Sequence, residues 1–212
     1  MSARYYPIFL DLKDRPAVII GGGEVAWRKA QGLLEAGAAI TVISPALHPE
    51  LAALKGSGSL HHLEREYRAG DLSGFLLAFV ATNDHDLNRT VAEEGKQLGV
   101  LVNAVDDPPN CDFVMPSIIR RGDLTLAIST GGGSPAAARR VREDMEAFLT
   151  EDYALLLDLA TEVRRELRER DVSVDAETWN RALDEELRSL LASGQRHQAK
   201  DRLLAALTGG AR

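Results

Sequence analysis

Cysteine is almost missing from this chain: Cys111 is the only one in 212 residues. No intrachain disulfide can form, and no cluster of His and Cys has zinc-ligand spacing, which argues against an oxidising compartment and a structural metal. A cytoplasmic protein with no metal site is expected. Long hydrophobic runs are missing as well. No stretch approaches the roughly 20 apolar residues needed to cross a bilayer, and the opening Met1-Ser2-Ala3-Arg4-Tyr5-Tyr6-Pro7 carries no apolar h-region. A soluble protein without a membrane partner follows. Positive charge is in deficit, with a formal net charge of −7. A field of that sign repels phosphate, so nucleic acid is not an expected partner, and any anionic ligand must meet a local basic patch. Internal repeats and low-complexity linkers are also lacking.

What is present is an apolar content of 45%, enough for one full core and a smaller second unit at the usual domain size of roughly 100–150 residues. Ala17-Val18-Ile19-Ile20 is an apolar, β-branched run of the kind buried in parallel sheets. From Glu24 the apolar period changes to about 3.6, through Val25, Ala26, Ala30, Leu33 and Leu34 to a stop at Gly37. Further strands are predicted over residues 40–43, 60–63, 76–81 and 100–103, with helices over 49–55 and 85–98. This β-α-β succession is what a parallel doubly wound sheet requires. After Pro108-Pro109 the character shifts. Residues 113–120 and 124–129 read as strands joined at Arg121-Gly122-Asp123, a hairpin, and Ser134-Pro135 reads as the N-cap and first position of a helix. Everything beyond Asp152 reads as helix, with Leu156, Leu159, Ala160, Val163 and Leu167 on one face and Asp175 capping a second helix that stops near Gly194. The expected organisation is a sheet domain over 1–112, a hairpin and helix over 113–149, and an all-helical domain over 150–212.

Between the first strand and its helix stands Gly21-Gly22-Gly23-Glu24-Val25-Ala26, in which Gly21, Gly23 and Ala26 match G-x-G-x-x-A. Glycines there let backbone amides approach a pyrophosphate, and the helix N-terminus adds roughly half a unit of positive charge. In this context the pattern predicts a Rossmann-type domain binding a nicotinamide dinucleotide; on its own it also fits a bare strand-to-helix turn. The end of the second strand reads Ser44-Pro45-Ala46, without the carboxylate that usually holds a ribose 2′-hydroxyl and without an arginine for a 2′-phosphate. NAD is therefore preferred over NADP but not deduced. Thr82-Asn83-Asp84 follows the fourth strand at the carboxyl edge where such sheets place ligands, or else caps a helix. Asp106, after the next strand, could take a proton as hydride leaves, or could simply form a turn. Arg120, Arg121, Arg139, Arg140 and Arg142 make a basic island in an acidic chain; the plainer reading is a solvated face paired with carboxylates.

These residues resemble the siroheme synthase N-terminal family, the precorrin-2 dehydrogenases with or without sirohydrochlorin ferrochelatase activity. The resemblance is carried by Pro7-Ile8-Phe9-Leu10, Gly21-Gly22-Gly23-Glu24-Val25-Ala26 with Arg28-Lys29-Ala30, Ala81-Thr82-Asn83-Asp84, Asn103-Ala104-Val105-Asp106, Phe113-Val114-Met115-Pro116-Ser117-Ile118 and Ser129-Thr130-Gly131-Gly132-Gly133-Ser134-Pro135. It spans about residues 5 to 150. The resemblance implies that Asp106 is the essential acid, that Glu24-Val25 and Pro45-Ala46 line the dinucleotide, and that the hairpin with its helix makes a homodimer. Thr130 stands where relatives often carry serine. The methyltransferase domain fused to many relatives is not in this sequence, so the chain is not expected to make precorrin-2 itself.

The implied reaction moves a hydride from precorrin-2 to NAD and a proton to Asp106, giving sirohydrochlorin. Candidate cofactor contacts are Gly21, Gly22, Gly23, Glu24, Val25, Ser44, Pro45, Ala46, Thr82, Asn83, Asn103 and Val105; candidate substrate contacts are Thr130, Gly131, Gly132, Arg120, Arg139 and Arg140. The arginines gain a purpose from this, since a polycarboxylate tetrapyrrole needs guanidinium forks near an acidic protein. Insertion of iron or cobalt is left open, because His48, His61, His62, His85 and His197 are scattered. The alternative from another class is a non-catalytic NAD-sensing module. A dehydrogenase of small hydroxy acids would call for a catalytic His or Lys near the nicotinamide, and none is evident. The C-terminal helices are a poor nucleic-acid reader, because Arg164, Arg165, Arg168 and Arg170 alternate with Glu162, Glu166, Glu169 and Asp171.

Overall fold

The computed structural model describes residues 5–209; residues 1–4, the first part of the opening stretch Met1 to Pro7 read above, and residues 210–212 lie outside it. The described chain divides after Met115 into two compact units.

The first unit is a five-stranded parallel sheet in the order β3-β2-β1-β4-β5. β1 (Pro16–Ile20), β2 (Ala39–Ile43), β3 (His61–Leu63), β4 (Leu77–Val80) and β5 (Leu101–Ala104) alternate with α1 (Glu24–Glu35), α2 (Pro49–Gly56) and α3 (His85–Leu98). The order reverses between β1 and β4, which opens a crevice at their carboxyl ends. Ala17, Val18, Ile19 and Ile20 are each 2% exposed or less, because both faces of β1 are covered: Ala17 and Ile19 pack with α1 and α2 residues, Val18 and Ile20 with Val91 and Ala92 of α3. Small residues set the approach of the helices. Ala26 and Ala30 of α1 are fully buried, and a Cβ at Gly95 of α3 would collide with the Val102 side chain.

Between β3 and β4 the chain forms an irregular loop pinned by one side chain. Glu94 of α3 accepts from the Tyr67 hydroxyl at 2.6 Å and from the amides of Gly70 and Leu72 at 3.0 and 3.2 Å, and burial with this carboxylate pushes the Tyr67 pKa up. Arg65 forks onto Asp71 at 2.6 and 2.8 Å in the same loop. Residues 5–10 form no strand, and Tyr6, Ile8 and Phe9 are exposed.

The second unit begins with the antiparallel hairpin β6 (Ser117–Arg121) and β7 (Leu124–Ile128), followed by α4 (Pro135–Phe148), α5 (Asp152–Glu169), α6 (Ala176–Ala182), α7 (Glu185–Ala192) and α8 (Arg196–Thr208). β6 starts four residues later than the sequence pattern suggests, because Phe113 packs instead against the first unit's core and Pro116 has no amide to give a ladder. Ser134 caps α4 as expected, accepting from the Ala137 amide at 3.2 Å. The single helix expected from Asp175 to Gly194 is in fact two. Asp184 turns its carboxylate to the Leu187 amide at 2.9 Å and starts α7 afresh. Leu159, Val163 and Leu167 of α5 close a core with Leu187, Leu191, Leu203 and Leu207. Among the described residues no helix is long and apolar enough to cross a membrane.

Candidate functional site

Each glycine of the turn after β1 does something different. Gly21 sits at φ +108° with no room for a Cβ beneath the Ala81 carbonyl. A Cβ at Gly22 would strike the Ala46 carbonyl oxygen and the Ser44 hydroxyl, and the Gly22 carbonyl accepts from the His48 amide at 2.7 Å. These two glycines hold the turn against the neighbouring loop. Gly23 faces open space, with nothing within 4 Å of where a Cβ would stand. It is the N-cap of α1 and offers no side-chain hydrogen bond to the helix amides. Glu24 is exposed and Val25 half-buried beside it. A helix start with uncapped amides and open space before it fits a dinucleotide pyrophosphate on both charge and shape.

The loop after β2 supplies the neighbouring wall. Ser44 is 3% exposed, and its hydroxyl donates inward to the Ala46 carbonyl at 2.7 Å, leaving Pro45 and Ala46 as the exposed surface. His62 on β3 holds the Ser44 carbonyl at 2.9 Å through Nε2, and Lys55 lies 3.2 Å from its Nδ1. With Lys55 donating to Nδ1, the imidazole carries its proton on Nε2. His62 is one of five histidines scattered along the sequence, and its partner Ser44 lies eighteen residues away, so the pattern of residues does not announce this contact.

After β4, Thr82 is half-buried and bonds through its hydroxyl to Asn88 at 3.1 Å, while Asn83 is exposed. Asp84 takes the capping role the sequence allowed, accepting from the amides of Asp86 and Leu87 at 3.0 Å each.

Two adjacent carboxylates leave β5 and are put to different uses. Asp107 accepts from Asn110 at 3.0 Å and Asn88 at 3.4 Å and faces His85 at 3.6 Å; the Asn110 bond above all holds its pKa below the ordinary value. Asp106 is exposed, in left-handed backbone at φ 58°. None of the hydrogen bonds or ion pairs found among the described residues engages its carboxylate. The segment behind it is fixed. Val105 N–H donates to the Val80 carbonyl at 2.9 Å, and Asn103, 7% exposed, donates to the Phe113 carbonyl at 2.8 Å. Asn103, expected as a cofactor contact, thus has its amide committed to holding the strand exit.

In the second unit, Thr130 is bound up in its own loop. Its hydroxyl donates to the Ser134 carbonyl at 3.0 Å and accepts from the Ser134 amide at 3.1 Å, bonds a serine would make equally. Gly131 and Gly132 follow at φ 63° and 83°. Arg139 pairs with Glu143 at 3.1 Å and Arg140 with Asp144 at 2.9 Å, both one turn along α4 and exposed. Arg121 is tied down by the Leu149 carbonyl and Glu151, and Arg120 is exposed on β6.

The fold and this crevice define a dinucleotide-binding α/β protein with a carboxylate at the sheet's carboxyl edge. Residues 8–117 match a family described as "Putative NAD(P)-binding", and residues 121–147 one described as "Sirohaem biosynthesis protein central". The siroheme synthase of Thioalkalivibrio sulfidiphilus is 40% identical over 208 residues, covering 97% of this chain and 42% of that protein. Siroheme synthase 1 of Aeromonas salmonicida is 42% identical over 211 residues, covering 97% of this chain and 45% of its own length. The chain thus spans less than half the length of these curated relatives. The solved structure of SirC, a precorrin-2 dehydrogenase, superposes with a TM-score of 0.78 at 30% identity, over 94% of this chain and 98% of that one. The chain belongs to the siroheme synthase N-terminal family.

Proposed function

We propose that this protein oxidises precorrin-2 to sirohydrochlorin, with NAD taking the hydride and Asp106 the proton. The observation that carries the reading is Asp106 itself. It is a carboxylate without a structural partner among the described residues, held in left-handed backbone at the same sheet edge as the open, uncapped start of α1. Bound NAD supplies the hydride acceptor. The α1 amides and the exposed Pro45-Ala46 surface hold the dinucleotide, Thr82 and Asn83 flank it, and Val105 and Asn103 fix the strand exit from which Asp106 reaches the substrate. A sensor module that only binds NAD gives Asp106, exposed and in left-handed backbone at the sheet edge, no task.

The substrate's acid side chains fall to Arg120, Arg139 and Arg140 in this reading, beside the loop Thr130-Gly131-Gly132. The α4 pairs of Arg139 and Arg140 are exposed i,i+4 pairs, which contribute only about 0.3–0.5 kcal/mol, so a substrate carboxylate can displace them cheaply. Ile118, Val141, Met145 and Phe148 are exposed on the hairpin and α4, which supports segment 113–149 as the surface on which two copies pair.

The test is anaerobic incubation of the purified protein with enzymatically generated precorrin-2 and NAD, following NADH and the sirohydrochlorin spectrum. NADH from wild type and none from Asp106→Asn supports the assignment; no NADH from wild type that still binds NAD overturns it in favour of a sensor. A parallel tube with ferrous or cobaltous ion reads metal insertion from the later spectrum.

A further inference from the structure

The entry to the loop between β2 and α2 hangs on one side chain. The peptide joining Ser44 to Pro45 has a carbonyl but no N–H, because proline brings none. Ser44 is buried, so that carbonyl must find its partner inside the protein. His62, on the neighbouring strand β3, supplies it, with Nε2 2.9 Å from the carbonyl oxygen and 3.4 Å from the Ser44 hydroxyl. The imidazole is itself oriented. Lys55, near the end of α2, stands 3.2 Å from Nδ1 and has only hydrogens to offer, so Nδ1 accepts and Nε2 donates. Glu64 lies 3.6 Å from the same ammonium.

The position of this loop is felt at the glycine turn. The Ser44 hydroxyl donates to the Ala46 carbonyl at 2.7 Å, and these two oxygens are what a Cβ at Gly22 would strike. The His48 amide closes the loop onto the Gly22 carbonyl at 2.7 Å. Loop and turn thus form one surface, on which Pro45 and Ala46 are exposed. In dinucleotide-binding sheets the adenosine ribose lies at the end of the second strand, usually against a carboxylate. Here that place is Ser44, whose hydroxyl is turned inward and whose carbonyl is taken by His62. What the loop offers the adenosine is shape, a wall of Pro45 and Ala46 held in place by the imidazole behind it.

We infer that His62 is a positioning residue for the cofactor: through the Ser44 carbonyl it fixes the Pro45-Ala46 wall, and with it the affinity for the adenosine half of NAD. The inference rests on the placement of the dinucleotide in the function proposed above. His62 acts on binding and not on the transfer of hydride or proton. Without it the Ser44 carbonyl turns to seek another donor and the wall shifts with it. Adenosine then meets a loop that must be ordered on binding, a cost that the preformed wall avoids.

The experiment is calorimetry of NAD and of ADP-ribose with wild type, His62→Leu, His62→Gln, Lys55→Met and Gly23→Asp, with KM for NAD and kcat measured in parallel. ADP-ribose carries the adenosine and the pyrophosphate without the nicotinamide. In His62→Leu both ligands should weaken by the same factor, about tenfold, the size of one lost hydrogen bond. KM for NAD should rise with them while kcat at saturation holds. Glutamine can place an amide N–H where Nε2 stood, so His62→Gln should recover most of the affinity. Lys55→Met, at a half-exposed position, releases the imidazole without removing it and should weaken both ligands by a smaller factor. Full NAD affinity in His62→Leu overturns the inference, as does a loss that ADP-ribose does not share or that glutamine does not restore. If the leucine variant does not fold, full affinity in Lys55→Met overturns it. Gly23→Asp separates this inference from the reading beneath it. If that variant keeps NAD, the placement of the cofactor is wrong and the role of His62 falls with it; if it loses NAD while His62→Leu binds normally, only the role of His62 falls.

Discussion

The Asn103 carboxamide reaches across to the Phe113 backbone and donates to its carbonyl at 2.8 Å. That bond fastens the last strand of the sheet to the segment that folds back along it, where the Asp112 amide also donates to the Val102 carbonyl at 2.8 Å. Asn103→Leu leaves a partly buried acceptor unpaired, which costs about 1–3 kcal/mol. Urea unfolding should show that loss, and turnover should fall by more than stability alone explains, because Asp106 hangs from the same strand exit.

The glycine turn predicts opposite outcomes two residues apart. Gly22→Ala drives a methyl into backbone and the Ser44 hydroxyl, so the domain itself should be destabilised, read as a lower Tm without any ligand. Gly23→Asp meets nothing and gives α1 a side-chain cap, so the ligand-free protein should melt no lower than wild type and by a few tenths of a kcal/mol higher. Calorimetry should nevertheless find NAD binding lost, because the new carboxylate occupies the place and opposes the charge of the pyrophosphate. Retained affinity would refute the placement of the cofactor.

For Asp106 the choice of substitute matters. Left-handed backbone is tolerated by Asp and Asn and resisted by other non-glycine residues at roughly 1–2 kcal/mol. Asp106→Asn should lose NADH formation at wild-type stability, whereas Asp106→Ala should lose both activity and about 1 kcal/mol. Equal melting of the two variants would show that the φ of 58° carries no strain.

The Arg65–Asp71 fork predicts an acid sensitivity of the loop between β3 and β4. The Arg65 hydrogen bond holds the Asp71 pKa below its ordinary value. A carboxylate whose folded pKa is depressed stabilises above its unfolded pKa, near 3.9, and loses that contribution as pH falls through the folded value. Arg65→Met should therefore melt below wild type at pH 7, with the gap closing below pH about 4. A gap that does not change with pH would mean the arginine acts by packing alone.

The sheet was legible because its signals are local. β1 and β4 are unbroken apolar runs, and α3 begins on Asp84 and ends at Gly99 in left-handed conformation, a start and a stop written in single residues. The break at Leu183 was also written, in Asp184 followed by Glu185 and Glu186, an N-cap with an acidic first turn that a longer apolar pattern concealed. Other features depend on contacts between distant residues. Nothing in the pair Asp106-Asp107 says which carboxylate is structural; Asn88, Asn110 and His85 decide it from elsewhere. The Glu94 clasp on Tyr67 and the grip of His62 on Ser44 join residues 27 and 18 positions apart. Lys29 reads as one more helix cation until Phe79 is found beneath it.

The bare start of α1 has a consequence for dynamics. A helix whose first amides have no cap frays at that end, so the Glu24, Val25 and Ala26 amides should exchange with solvent deuterium far faster than those deeper in the helix. A pyrophosphate seated on them takes the role that serine or aspartate plays in other helices. The dinucleotide would then complete the protein's own secondary structure, and its arrival and departure would be written in the exchange rates of three neighbouring amides.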